Sequence, residues 1–375
     1  MGMMLLSNKS SKIIAVLLII MVVVLILLCY NYLLHENETP IMNAKFMLLD
    51  GEGPNAGGDF SKELGTNTIP IYLDQWFQFE PHENQWNWEN AFPTNRVDYG
   101  HCLLRIGILH MLAWNPSDIP TWVKKSDLYG EFKEAYGEFV QEAVKQVEQR
   151  HISVDLYLVE LEANYAGHEI KENTNITNAE IIDWIKWEVN LIKGIDPHAK
   201  IVIPLTPTEF RPEESLDNTN DRGKILVADF VERMIQADVQ FDAFGFNVAS
   251  GVYDKVDDWA ALQTVLDNWS NIDKEIFVWA MGYPADNNDN ISFRNPRAGG
   301  YSEEWQKEQY VNSLKLLLEN TKVIGVSIYL YDYQESGWLT PVHWGLVGGD
   351  RTKSETLFKR PSFDIVKEYW CSNYR

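Results

Sequence analysis

The chain has 375 residues, 45% of them hydrophobic, and its 54 acidic against 32 basic side chains leave a net charge of −22. Such a surface repels phosphate backbones and anionic headgroups, which excludes nucleic acid as a partner. Three cysteines are too few for a disulfide framework and no His/Cys cluster has the spacing of a zinc site. A packed core must therefore supply the stability, and neither metal nor cofactor is expected.

The N-terminus comes first in chain order. Every residue from Ile13 to Leu28 is apolar and the run continues to Leu34, long enough as a helix to cross about 30 Å of hydrocarbon. Lys9 and Lys12 precede it and Glu36 and Glu38 follow it, so the positive-inside rule leaves the N-terminus in the cytoplasm. The run exceeds the apolar region of a cleaved signal peptide, and Leu28 before Cys29 does not fit a lipoprotein cleavage site. The expectation is a short cytoplasmic N-terminus (1–12), a signal anchor in the lipid bilayer (13–34), a linker (35–45), and an extracytoplasmic domain (46–375) at the cell membrane. Asn37, Asn175, Asn268 and Asn290 begin N-x-S/T sequons on the exported side, consistent with glycosylation. Cys102 and Cys371 could pair, though nothing local demands it.

Beyond the linker, apolar runs of strand length recur: "KFMLLD", "NTIPIYLD", "CLLRIGILHML", "DLYLVELE", "AKIVIPLT", "FDAFGFNV", "KEIFVWAM" and "KVIGVSIYLY". Between them lie segments with apolar residues at helical spacing, namely "YGEFKEAYGEFVQEAVKQVEQR", "NAEIIDWIKWEVNLIKGI", "GKILVADFVERMIQA", "DDWAALQTVLDNW" and "SEEWQKEQYVNSLKLLLEN". Near-continuous apolar strands alternating with amphipathic helices describe a parallel sheet covered by helices. Eight such units predict an α/β fold of the (β/α)8 TIM-barrel type. The alternative, a doubly wound open sheet, lacks its glycine-rich phosphate loop, since "DGEGPNAGG" has neither the spacing nor the following helix.

In such a barrel, chemistry sits where strands end. Those ends carry Asp50, Glu52, Asp74, Gln75, Trp76, His110, Trp114, Glu160, Glu162, Glu209, Asn247, Trp279 and Asp332. Carboxylates, amides, a histidine and tryptophans make a polar, aromatic-walled cleft suited to sugars. The high aromatic content, 13%, is read either as core packing or as platforms for sugar rings. Within "DLYLVELEANY" the alternation of a strand would put Glu160 and Glu162 on one face, about 6.6 Å apart at Cα. Glu162 is then nearer the cleft mouth, with Glu160 among the groups of the barrel interior, either raising the Glu162 pKa or paired with Arg105.

"FQFEPHENQWNWE" followed by "ILHMLAWNPSDIPTWV" resembles the retaining family-10 glycoside hydrolases, the endo-xylanase type within the larger clan of retaining barrels. His110 and Trp114 fall on that family's H and W, and Pro120 with Trp122 on its P-x-W. "YLVELEA" is similar to the strand that carries its acid/base, which places Glu162 on the acid/base and Leu161 on an asparagine. Asn247 falls on a strand-six glutamine, Asp332 and Trp338 on the strand-eight Asp and Trp, and the last segment is similar to the closing loop and helix. The resemblance implies a glycoside hydrolase acting on a poly- or oligosaccharide. Gln75, Trp76, His110, Trp114, Asn247, Trp279 and Trp338 are then the substrate contacts, and Glu162, Glu160 and Asp332 the catalytic candidates.

The sequence also departs from that pattern. The retaining clan carries a glutamate at the end of strand seven, where this chain has "IFVWAMGYP" with Ala280 or Met281 at the place, and no carboxylate lies between Glu275 and Asp286. Leu161 lacks the amide, and Gln75 stands for a lysine. A retaining mechanism needs two carboxyls about 5–5.5 Å apart, so Asp332 and Glu160 are the candidates for the missing role. The alternatives are a barrel that binds carbohydrate without cleaving it, and a structural protein of the cell envelope.

Overall fold

Short runs of Val, Ile, Leu and Phe, bounded by polar residues, fold here as strands buried on both faces. The computed structural model describes residues 45–50, 59–89, 91–92, 101–109, 116–125, 127–164, 176–207, 221, 225–249, 259–286, 300–332, 343, 345–348 and 357–373. The chain divides into two units, 1–44 and 45–375, and the expected bilayer span at 13–34 lies outside the described residues. Among the described residues no helix is long and apolar enough to cross a membrane.

Eight parallel strands make the sheet: β1 (Phe46–Asp50), β2 (Thr68–Tyr72), β3 (His101–Ile106), β4 (Leu156–Val159), β5 (Ile201–Leu205), β6 (Ala243–Ala249), β7 (Glu275–Gly282) and β8 (Val323–Tyr329). Their order, β1-β8-β7-β6-β5-β4-β3-β2, is the cyclic order of a barrel. The described helices are α1 (Asp59–Leu64), α2 (Trp76–Phe79), α3 (Glu131–Gln149), α4 (Asn178–Ile195), α5 (Val227–Gln236), α6 (Trp259–Asn268), α7 (Glu303–Glu319) and α8 (Pro361–Asn373). The expected (β/α)8 architecture is the observed one. Helix α4 begins at a capping box in which Thr177 accepts from Glu180 N while the Glu180 carboxylate accepts from Thr177 N, and this reciprocal pairing satisfies otherwise orphaned donors.

Side-chain alternation sorts the apolar residues into two compartments. Leu48, Leu103, Leu156, Leu158, Val202, Phe277 and Ile324 fill the barrel interior. The intervening residues, among them Met47, Leu104, Tyr157, Ile201 and Val278, join the larger core between strands and helices. That outer core holds most of the aromatic excess. Trp76 has no exposed surface, sits edge-on to Trp122, Phe132 and Tyr136, and packs tilted against Phe139. Burial of such rings adds edge-to-face attraction to a large apolar area.

The seam between β1 and β2 is closed by a side chain. Asn67, just before β2, accepts from Met47 N at 2.8 Å and donates to Lys45 O at 2.8 Å, so its amide takes the part of a ladder partner. The backbone N of Asn67 also donates to Met47 O. Removing that amide leaves a buried strand-end N–H without an acceptor, a loss of about 1–3 kcal/mol. Asn67→Ala is expected to lower unfolding free energy by about that amount in urea titration; a change within error would show that the seam does not depend on it.

Candidate functional site

Strand β4 stops at Val159, and the reason is local. Glu160 and Glu162 both adopt left-handed backbone conformations, φ +57° and +52°, which non-glycine residues adopt only at a cost. The two kinks abolish the alternation on which the same-face expectation rested. Glu160 is 1% exposed and turns out of the barrel towards the helices. Its Oε2 accepts from Ile108 N at 3.0 Å and Leu109 N at 2.9 Å, and its Oε1 accepts from Trp184 Nε1 of α4 at 3.0 Å. The expectation that it lies in the barrel interior beneath Glu162 is therefore corrected, and so is its suggested pairing with Arg105. Arg105 instead makes a short ion pair with Asp74, its guanidinium 4.3 Å from the Tyr72 ring. Burial raises the Glu160 pKa, against its hydrogen bonds with Glu188, Leu109, Trp184 and Ile108.

Glu162 is half-buried at the carboxyl end of β4. Asn247 of β6 reaches it across the barrel mouth, Nδ2 donating to Oε1 at 3.5 Å. The Asn247 side chain is buried, and its Oδ1 has no hydrogen-bond partner among the described residues. The β6–β7 register shifts at Phe246/Asn247, and the β7–β8 register shifts between Val278 and Met281. Bulges of this kind re-aim side chains at barrel rims. Here they turn both Trp279 and Ala280 into the interior cluster. Trp279 is 9% exposed and its Nε1 donates to Leu205 O at 3.1 Å. Gly245 makes room for this ring, since a Cβ there would lie 3.1 Å from Trp279 Cδ1.

Asp332, just past β8, is bound into an ion pair. Arg360 Nη1 donates to Oδ1 at 2.8 Å, Arg360 Nη2 to Oδ2 at 3.0 Å, and Gly345 N to Oδ1 at 3.2 Å. Both side chains are nearly excluded from solvent. Burial pushes the Asp332 carboxyl above its usual range while Arg360 opposes that shift. Beside it, His343 Nδ1 lies 2.6 Å from Asp286 Oδ2; the hydrogen bond raises the His343 pKa and lowers that of Asp286.

Of the other expected contacts, Gln75 is exposed and accepts from Gln78 Nε2. Trp76 has no face open to a ligand, and its Nε1 donates to Glu80 Oε2 at 2.8 Å. This corrects the expectation that Trp76 contacts substrate: the ring is core. His110, Trp114 and Trp338, like Glu52 and Glu209, lie outside the described residues. The structure thus brings Glu162, Asn247 and Trp279 to one end of the barrel. It keeps Glu160 and Trp76 in the helical layer, and Asp332 in its pairing with Arg360. Among the described residues no group of three or more His, Cys, Asp and Glu side chains is placed to hold a metal ion. Cys102 and Cys371 do not form a disulfide with each other.

Sequence reading passed over Glu188. It is fully buried on α4, its Oε1 accepts from Tyr136 of α3 at 2.7 Å, and it neighbours Glu160. The signal was present: within "WIKWEVNLI" a glutamate stands on the apolar face of the helix, four residues after Trp184. At the opposite, amino-terminal end of the barrel, an open concavity of about 720 Å³ is lined by residues including Lys193, Lys200, Asp242, Glu275 and Lys322. Those lysines are engaged with carbonyls or carboxylates, and that end of a barrel ordinarily serves stability.

Solved structures share this fold. A psychrophilic glycoside hydrolase family 10 endo-beta-1,4-xylanase superposes with TM-score 0.58 at 17% identity, over 86% of this chain and 96% of that one. The fold is shared with family-10 xylanases. An endo-1,4-beta-xylanase from Caldicellulosiruptor owensensis gives TM-score 0.60 at 16% identity, over 87% and 97%. Xylanase 10B from Thermotoga petrophila RKU-1, in complex with xylobiose, gives 0.57 at 15% identity, over 89% and 96%. No protein-family model matches the chain, and no curated protein matches it in sequence.

Breaking a buried pair from one side strands a charge, at about 3–5 kcal/mol, whereas replacing both partners is far milder. Arg360→Met is expected to destabilise by about that amount, and Arg360→Met with Asp332→Leu to recover a large part of it in chemical denaturation. Equal losses in the single and double variants would contradict the reading of Asp332 as a structural ion-pair partner.

Proposed function

We propose that the protein is a membrane-anchored, extracytoplasmic glycoside hydrolase-like barrel that binds or acts on a poly- or oligosaccharide, with Glu162 as general acid/base. The observation that carries this reading is the approach of Asn247 to Glu162 at the carboxyl ends of β6 and β4, where barrels of this kind hold their sites. A half-buried carboxyl facing an amide can hold a proton at a glycosidic oxygen while the amide orients a hydroxyl. The Asn247 Oδ1 is buried and has no hydrogen-bond partner among the described residues. The shared fold with family-10 xylanases supports the substrate class. The anchor rests on the apolar run from Ile13 to Leu34 and the charges flanking it.

One observation favours a second reading, binding without hydrolysis by the standard retaining route. The inward side chains of β7 in its carboxyl half are Trp279 and Ala280, neither a carboxylate, and the Asp332 oxygens are engaged by Arg360. The two readings separate by experiment. A positioned general acid contributes about 10²–10⁴-fold. With full-length protein and a panel of oligosaccharides that includes xylobiose, Glu162→Gln is expected to cut turnover within about that range while leaving affinity near wild type. Turnover unchanged in Glu162→Gln would remove Glu162 from the role. Ligand binding with no product from the native protein would favour the second reading.

A further inference from the structure

The buried carboxyls of Glu160 and Glu188 belong neither to the barrel mouth nor to any described ion pair. Glu160 accepts three N–H donors, two from Ile108 and Leu109 after β3 and one from Trp184 of α4. Both of its oxygens are thus already used as acceptors. Glu188 Oε1 accepts the Tyr136 hydroxyl from α3, but the buried Glu188 Oε2 has no hydrogen-bond partner among the described residues. Two anionic carboxylates side by side without a cation are strongly unfavourable, and one shared proton resolves both the repulsion and the orphaned oxygen. The proton belongs on Glu188, because Glu160 is the carboxyl with N–H donors at both oxygens.

We propose that Glu160 and Glu188 form a one-proton carboxyl latch that positions the segment carrying Glu162. The inference rests on the reading of Glu162 as the functional carboxyl, and makes Glu160 a positioning residue rather than one that touches substrate. The latch joins four elements. Through Glu160 it ties the left-handed turn after β4 to the backbone leaving β3. Through Trp184, Glu188 and Tyr136 it fastens that turn to α4 and α3. Gly107 fits the same design, since a Cβ there would lie 2.6 Å from Glu160 Cα. Opening the latch frees the turn, and with it the aim of Glu162 at Asn247.

The protonation asymmetry makes the proposal testable. Protonated Glu188 donates with one oxygen and accepts with the other, and glutamine has that same arrangement. At Glu160 a glutamine would aim its amide N–H₂ either at two backbone N–H groups or at the Trp184 N–H. The titratable groups facing the pair are Tyr136 from α3, its ionisation disfavoured by burial and by both carboxylates, and more distantly Asp74 after β2. Burial and the neighbouring charge raise the Glu188 pKa well above its ordinary value, and burial raises that of Glu160. A raised folded-state carboxyl pKa gives stability that is present below the unfolded value and lost as pH rises through the folded value.

Hydrogen-exchange mass spectrometry on the full-length protein in detergent reads the latch directly, without any substrate. Glu160→Gln is expected to speed exchange several-fold in peptides covering 106–109 and 160–164 while the β5–β8 strands keep their protection. Glu188→Gln is expected to leave both peptides protected. It should also flatten the fall of the thermal midpoint with rising pH that the native protein shows, a change that mere loss of packing would not produce. Equal loss of protection in the two variants, or a native midpoint that does not fall as pH rises, would overturn the latch. If protection behaves as expected while Glu162→Gln leaves turnover unchanged, the latch stands and the role of Glu162 falls.

Discussion

A buried carboxylate cannot stay charged in a protein interior without donors, and at the end of β4 the chain supplies three for Glu160. That requirement sets the local geometry. To reach the amides of Ile108 and Leu109, Glu160 must leave the strand in a left-handed turn, and the next polar side chain, Glu162, then stands at the barrel mouth rather than directly above it on a common face. Strands β6 and β7, which carry Asn247 and Trp279, complete the arrangement. The bulges that shift register along β6, β7 and β8 bring Asn247 towards Glu162 and turn Trp279 inward.

The same economy appears at three other buried or half-buried polar groups. Asp332 is neutralised by a bidentate Arg360, Asn67 substitutes for a missing ladder between β1 and β2, and Glu80 accepts from both the Trp76 indole and Asn84 N. Each fixes a strand end or the loop that follows it. Catalytic geometry on a barrel depends on such supports, because the loops that carry function pack little apolar surface of their own.

Much of the fold was legible because parallel strands buried on two faces leave long apolar runs, and because the helices between them carry apolar residues at helical spacing. The site was legible only in part. Glu162 and Asn247 fall at strand ends by periodicity alone. Glu160 was misplaced because alternation assumes extended φ/ψ, and nothing in "VELEA" announces two left-handed residues without glycine. Trp76 was taken for a cleft residue because a strand end and a tryptophan look alike whether the ring faces sugar or core; its neighbours Phe132, Tyr136 and Phe139 come from a helix more than fifty residues away in sequence. Long-range pairing of that kind leaves no local signature.

On the proposed function, carbohydrate binds at the carboxyl-end mouth of the barrel, at Glu162 and Asn247. Crystals of the protein grown with an oligosaccharide chosen from a binding screen test it most directly. Sugar density is expected at the carboxyl ends of β4 and β6, with a hydroxyl or glycosidic oxygen within hydrogen-bond distance of the Glu162 carboxyl and the Asn247 amide. Sugar bound elsewhere, such as the lysine-lined concavity at the amino-terminal end, with the Glu162 mouth holding only water, would contradict it.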